Sequence, residues 1–292
     1  APSNTTLTVR YLTGGGLDAN VDSQTLTVVD DTNVTFNNPN ISNTALANTV
    51  FKSLASSNFL AADGGQDGDT VEEIRQNALG NFQNQMRTVT QQDYLVRALS
   101  MPSNLGVIAK AYACPSKIGE YAAGELPAVL DLYVLSKNIL GQLRSASFAL
   151  KQNLRTYLSE YRMINDSIKI KNAFIINIGV EFDVIVLPNY NNNEVLTKCI
   201  NTLQDHFNIE NWQINQPIMI NQLYVMLDKV EGVQTVQNVI VKNLTGESLG
   251  YSEYAYDVPG ALINDVIYPS IDPMIFEVKY PKEDIKGRVV PL

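Results

Sequence analysis

Histidine is almost absent: His206 is the only one in 292 residues. A Ser/His/Asp or Cys/His nucleophile site would have to use that single imidazole. A zinc or iron site is likewise short of donors. His206 falls at the end of an apolar-periodic segment, where a protonated ring would favour the helix dipole, and its reading is structural. Cysteine is scarce too. Cys114 and Cys199 are too few and too far apart for a disulfide framework, and both read as buried or half-buried thiols of a reducing compartment. Basic residues are outnumbered, 21 Lys and Arg against 30 Asp and Glu, for a net charge of −9. Nucleic-acid binding through phosphates needs a basic face, so no nucleic-acid partner is expected. No apolar run reaches the ~18 residues that span a bilayer, and no signal-peptide pattern is read. The first residue is Ala1, as expected of a fragment or a processed product.

What is present is a chain with 45% hydrophobic residues, enough for two or three compact domains with real cores. It carries 30 asparagines and is rich in Thr, Gln and Tyr. Such a surface is polar yet weakly charged. It suits large wet protein contacts, and equally an ordinary soluble surface.

The segment from Asp63 to Pro102 holds two helix starts. Thr70 with Glu73, or Asp69 with Glu72 one residue earlier, reads as a capping box, and Val71, Ile74, Ala78, Phe82 and Met86 fall on one helical face. Thr90 is the second cap, with Asp93 as third helical residue and Val89–Tyr94 as a hydrophobic staple. Pro102 stops that helix. Upstream, Thr6–Leu12 and Ser23–Val29 are strand candidates, and Ala45–Leu54 has helical spacing. Downstream, Val107–Cys114, Ala128–Ser136, Ile168–Lys171 and Ala173–Leu187 read as strands, the last bending near Gly179 or serving two sheets. A helix is expected from about Leu143 to Met163. Glu194–Phe207 and a helix opening at Pro217 precede a strand through Val233–Val241. Strands near Asn264–Tyr268 and Met274–Tyr280 close the chain.

The fold class is therefore α+β and multidomain. Residues 1–62 form a β-rich domain and 63–102 a helix-pair joint. Residues 103–171 form a first α/β unit and 172–243 a second, ferredoxin-like one. Residues 244–292 form a Tyr- and Pro-rich C-terminal arm with edge strands.

Candidate chemistry is thin. Gly14-Gly15-Gly16 lacks the residues that complete a phosphate loop or dinucleotide fingerprint and reads as a turn. The acidic loop Asp63, Asp67, Asp69 and Glu72 lacks the ligand spacing of a calcium loop. Asn-x-Ser/Thr triplets at Asn4, Asn33, Asn40, Asn165 and Asn243 are expected by chance at this composition. No sequence feature selects a carboxylate pair for glycoside hydrolysis. No catalytic residue, cofactor or metal is assigned, and the chain is not read as an enzyme. Tyr251, Tyr254 and Tyr256 cluster in a polar segment. They are candidates for a protein interface, or for covering the chain's own sheet.

Three stretches carry a family likeness. Gly64-Gly65-Gln66-Asp67 leads into Glu72-Glu73-Ile74-Arg75, and Arg87-Thr88-Val89-Thr90-Gln91-Gln92-Asp93-Tyr94 follows. Gly14–Val21 ends in Asn-Val, and Val230-Glu231-Gly232-Val233-Gln234-Thr235-Val236 closes the helix–helix–strand unit. In this order the chain resembles the baseplate J-like family of contractile tails. That resemblance implies a virion structural protein without catalysis, located in the tail baseplate and assembled in the host bacterial cytoplasm. It implies self-pairing, a ring around the tail hub, contacts with other wedge proteins and with hub or sheath-initiator proteins, and rearrangement on contraction. The rival reading is a carbohydrate-binding or adhesin module, since Asn, Asp and Tyr on β-rich loops suit sugar contacts.

Overall fold

The computed structural model describes residues 16–29, 44–72, 74–75, 78–79, 87–116, 130–163 and 166–291. Among the described residues the architecture is α+β, with several helices and mixed sheets and no barrel.

The first sheet is organised by β2 (Leu130–Lys137). Strand β1 (Lys110–Pro115) pairs with it antiparallel on one side. On the other side two short strands lie in tandem. β4 (Ile168–Asn172) runs parallel to residues 130–134, and β3 (Leu143–Ser145) runs antiparallel to residues 135–137. Every residue of β2 is buried. Its side chains alternate between two cores, as the period of a strand requires. Leu130, Leu132 and Val134 join the core beneath α2 (Gln91–Leu99) and α3 (Phe148–Ser159). Tyr133 and Leu135 join the core of the second sheet. One strand thus welds two units.

The second sheet is centred on β5 (Phe174–Val186). β7 (Val233–Asn243) pairs antiparallel on one edge. On the other, β10 (Met274–Glu277) and β11 (Ile285–Val289) run parallel in tandem. β5 continues unbroken through Gly179, and its register shifts come later, at Asp183/Val184 and Ile185/Val186. Helices α4 (Asn192–His206) and α5 (Ile220–Asp228) cover the sheet through Cys199, Leu203, Leu223 and Leu227. The strand–helix–helix–strand order is thus present. Between α5 and β7, Gly232 takes φ +95°, and an added Cβ would lie 2.6 Å from Val195 Cγ2. Only glycine fits the Val-x-Gly-Val turn at this point. A third sheet joins β6 (Ile218–Met219), β9 (Val266–Ile267) and β8 (Leu262–Ile263). Its hairpin turns on Asn264 and Asp265, both with positive φ, which matches the strand twist.

Several expectations need correction. Ser23–Val29 is not a strand. Asn58 takes its backbone instead: Gln24 N–H donates to the Asn58 carbonyl at 2.7 Å and Leu26 N–H to Asn58 Oδ1 at 3.0 Å. The candidate strand Thr6–Leu12 lies outside the described residues, and α1 (Thr44–Lys52) occupies the expected helical stretch. The helix expected from Leu143 begins at Phe148. Ser147 caps it by accepting from Leu150 N–H, and the open edge of β2 takes Leu143–Ser145 as a strand. Pro217 precedes β6 rather than opening α5, because Ile218 and Met219 pair with the later segment Val266–Ile267. The described residues 244–291 supply the edge strands β10 and β11, with Met274, Ile275, Phe276 and Ile285 in the core.

Candidate assembly joint and surfaces

Two of the likeness-bearing segments meet at one joint, through residues 16–21 and Gly64–Asp67. Asn20, buried, donates its amide to the Gly65 carbonyl at 2.8 Å and accepts from Gly65 N–H at 2.7 Å. Ala62 N–H donates to the Val21 carbonyl at 2.8 Å. Gly64 takes φ +91°, and an added Cβ would approach Gly106 Cα at 3.1 Å, so a side chain is excluded. Its carbonyl accepts from Val107 N–H at 2.7 Å, which ties the loop to the start of the first sheet.

The acidic loop serves the same joint. Asp63 accepts from Ser147 N–H at 2.7 Å, next to the cap of α3. Asp67 accepts from Leu17 N–H at 3.3 Å. Glu72 pairs with Arg75 one turn on, and Asp69 lines a cleft of about 340 Å³ with Lys110, Lys137 and Glu210. The four acids thus face four different neighbourhoods. Among the described residues no group of three or more His, Cys, Asp or Glu is placed to hold a metal ion.

Helix α2 is anchored from its first residue. Thr90 Oγ1 accepts from Asp93 N–H at 3.2 Å, and Asp93 accepts in return from Thr90 and Val89 N–H at 2.8 and 2.9 Å. Burial would raise the Asp93 carboxyl, but these hydrogen bonds and Arg97 outweigh it and hold the group below its ordinary value. Val89 stays exposed, so the expected staple does not close from its side. Tyr94 turns inward, and its hydroxyl donates to Asp166 at 2.6 Å. Burial and that bond push the phenol up to about 12. Thr88 is buried and donates twice to the Tyr161 carbonyl. Val71 and Ile74 stand exposed on helical backbone, whereas Phe82 and Met86 lie outside the described residues.

Three functional groups escaped the sequence reading. Arg97 is buried with its guanidinium 4.2 Å from the Tyr161 ring centre. Among the described residues its Nε and Nη2 have no hydrogen-bond partner. Glu210 receives the Lys137 ammonium, and its carbonyl accepts from Lys110 Nζ at 3.0 Å. Glu277 is a buried carboxylate between the units, accepting from Leu143 N–H of β3 and from Asn177 Nδ2, both at 2.8 Å. Periodicity offers no signal for charged groups turned inward; only their company in space reveals them.

His206 is half-buried against Phe207 and Trp212, with ring centres at 5.0 and 5.6 Å. Burial lowers its pKa, so the neutral ring is favoured rather than a protonated one at the helix end. Cys199 is fully buried, which pushes its thiol up to about 11, and Cys114 is half-buried.

The three tyrosines part company. Tyr251 donates to Asp284 at 2.6 Å and packs edge-on against Tyr280. Tyr256 donates to the Tyr268 carbonyl and packs on Phe276. Tyr254 stacks edge-on against Phe174 at 4.9 Å and remains 40% exposed. Further apolar surface lies at the third sheet and along α1, where Leu46 and Val50 face outward.

No helix among the described residues is long and apolar enough to cross a membrane. No protein-family model matches the chain, and no curated protein matches it. Among solved structures it is similar to a chain of the anti-feeding prophage (AFP) baseplate, determined by cryo-electron microscopy with six-fold symmetrisation. Identity is 15% and the TM-score 0.46, over 76% of this chain and 45% of that one. The chain thus spans less than half the length of the protein it matches.

Proposed function

We propose that this chain is a structural, non-catalytic subunit of a contractile-tail baseplate, of the J-like kind. Its Asn-rich style and Tyr-rich C-terminal segment most resemble the C-terminal part of the baseplate wedge protein of T-even-type phages. In this reading copies pair with themselves and with other wedge proteins, close a ring around the tail hub, and shift as rigid bodies on contraction. Tyr254 is the most exposed of the three candidate interface tyrosines.

The observation that carries the reading is the reciprocal bond between Asn20 and Gly65. Asn20 belongs to one family-like segment and Gly65 to another, 45 residues on. Short motifs that matched by chance would have no reason to touch. Here the Asn20 side-chain amide is directed at both polar groups of the Gly65 backbone, and the two segments are joined.

The test is co-assembly. The purified chain is mixed with neighbouring wedge proteins and followed by sedimentation, and tails are labelled for it in electron microscopy. A defined oligomer that incorporates the neighbours, and label at the tail tip, are expected. A chain that stays monomeric at high concentration and binds no neighbour would overturn the reading.

A further inference from the structure

The strand register of the third sheet sorts its apolar residues onto two faces. Ile218 and Leu262 both pair with Ile267; Ile218 and Ile267 join the core, whereas Leu262 at the β8 edge is 45% exposed. Met219 and Ile263, both exposed, pair with the half-buried Val266 on the other face. Residues opposite one another across a ladder share a face, so Met219, Val266 and Ile263 form an apolar row across all three strands. Met219 is 49% exposed and Ile263 56%. Tyr268 follows by alternation on the same face, its N–H bonded to the Ala261 carbonyl, and is also exposed. Ile271, just beyond, is 89% exposed. A row of large apolar side chains turned to water marks a contact surface when it is contiguous.

Charge then selects the occupant. From residue 243 to 278 the chain has five carboxylates besides the buried Glu277 and no Lys, Arg or His, and residues 213–228, which include β6 and α5, have no basic residue either. Asp265 sits in the hairpin turn between Ile263 and Val266. Asp257 and Asp272 flank the hairpin in sequence. A second copy docked by this same face would bring identical carboxylates against these, and like charges across an interface are costly.

We infer that the Met219–Val266–Ile263 face is a docking site for a different protein chain, one that presents an apolar projection within a rim of Lys and Arg. The inference rests on the baseplate reading and names the chemistry of one partner. It assigns self-pairing to other surfaces.

The test is photo-crosslinking. p-Benzoylphenylalanine replaces Ile263 in one full-length chain and Met219 in another, and purified tail particles containing each are irradiated. Mass spectrometry identifies the joined peptides. The expected product links both positions to one segment of another chain, with apolar residues flanked by Lys or Arg. Its yield should fall several-fold in the D265N/D272N background and with rising salt. Cross-links to a second copy of this chain, to a segment without basic residues, or to nothing in particles that contain the chain would overturn the inference alone. Absence of the chain from the particles would overturn the baseplate reading, and this inference with it.

Discussion

Asn20 and Gly65 hold each other by two hydrogen bonds in opposite directions, amide to carbonyl at 2.8 Å and N–H to amide oxygen at 2.7 Å. A primary amide carries both a donor and an acceptor, so it can serve the N–H and the carbonyl of one residue at once. The pair therefore acts as one rung of a ladder between two segments that form no sheet.

Asn20→Ala should remove both bonds and leave a part-buried N–H and carbonyl without a protein partner. The expected cost is about 1–3 kcal/mol for such groups. Denaturant unfolding measures the loss, and limited proteolysis should show faster cleavage within residues 16–29. Asn20→Asp keeps the accepting oxygen but sets a carboxylate against the Gly65 carbonyl, so it should fall no higher than alanine. Unchanged stability in both variants would remove the joint its importance.

Thr90→Ala should cost about 1 kcal/mol as a lost cap. The same change weakens the bonds that hold the Asp93 carboxyl low. A lowered carboxyl contributes stability above its unfolded value, and that contribution is lost as pH falls through the folded pKa. Stability of the parent should thus decline below pH 3.8, the ordinary value of the group, more steeply than that of the variant. Parallel pH profiles would contradict this account.

Glu277 runs the other way. Burial raises its pKa, against the lowering influence of the bonds from Leu143 and Asn177 and of Lys279, while Asp284 adds to the rise. The folded state then prefers the protonated acid. Its contribution to stability is full below the unfolded value near 4.5 and is lost as pH climbs through the raised folded pKa. Glu277→Gln should flatten the pH dependence of the unfolding midpoint above pH 4.5. Glu277→Ala should cost about 1–3 kcal/mol at every pH, because Leu143 N–H and the Asn177 amide lose their acceptor. A Glu277→Gln profile that keeps the parental slope would show that another group titrates there.

Local chemistry was legible wherever neighbours in sequence decide it. The Thr90–Asp93 capping box and the amphipathic helix Asn192–His206 depend on residues close in sequence. The Leu143 helix start and the Pro217 helix start were misread because strand pairing outweighed local helix preference. The adjoining strand β2 took Leu143–Ser145 in a hairpin, and the distant β9 took Ile218 and Met219. Val89 looked like a staple by position, yet Tyr94 turns toward Asp166, 72 residues on, and leaves it exposed.

The sequence by itself determined that the chain is α+β, acidic and poor in histidine and cysteine, because composition and short-range periodicity suffice for that. Only the tertiary structure decided that the acidic loop is a clasp, that Tyr251 and Tyr256 direct their hydroxyls inward, and that β2 divides its side chains between two cores. Each of those outcomes depends on which groups meet across long stretches of chain. A carboxylate or phenol reads the same in sequence whether its partner is water, a metal or a backbone N–H brought from afar.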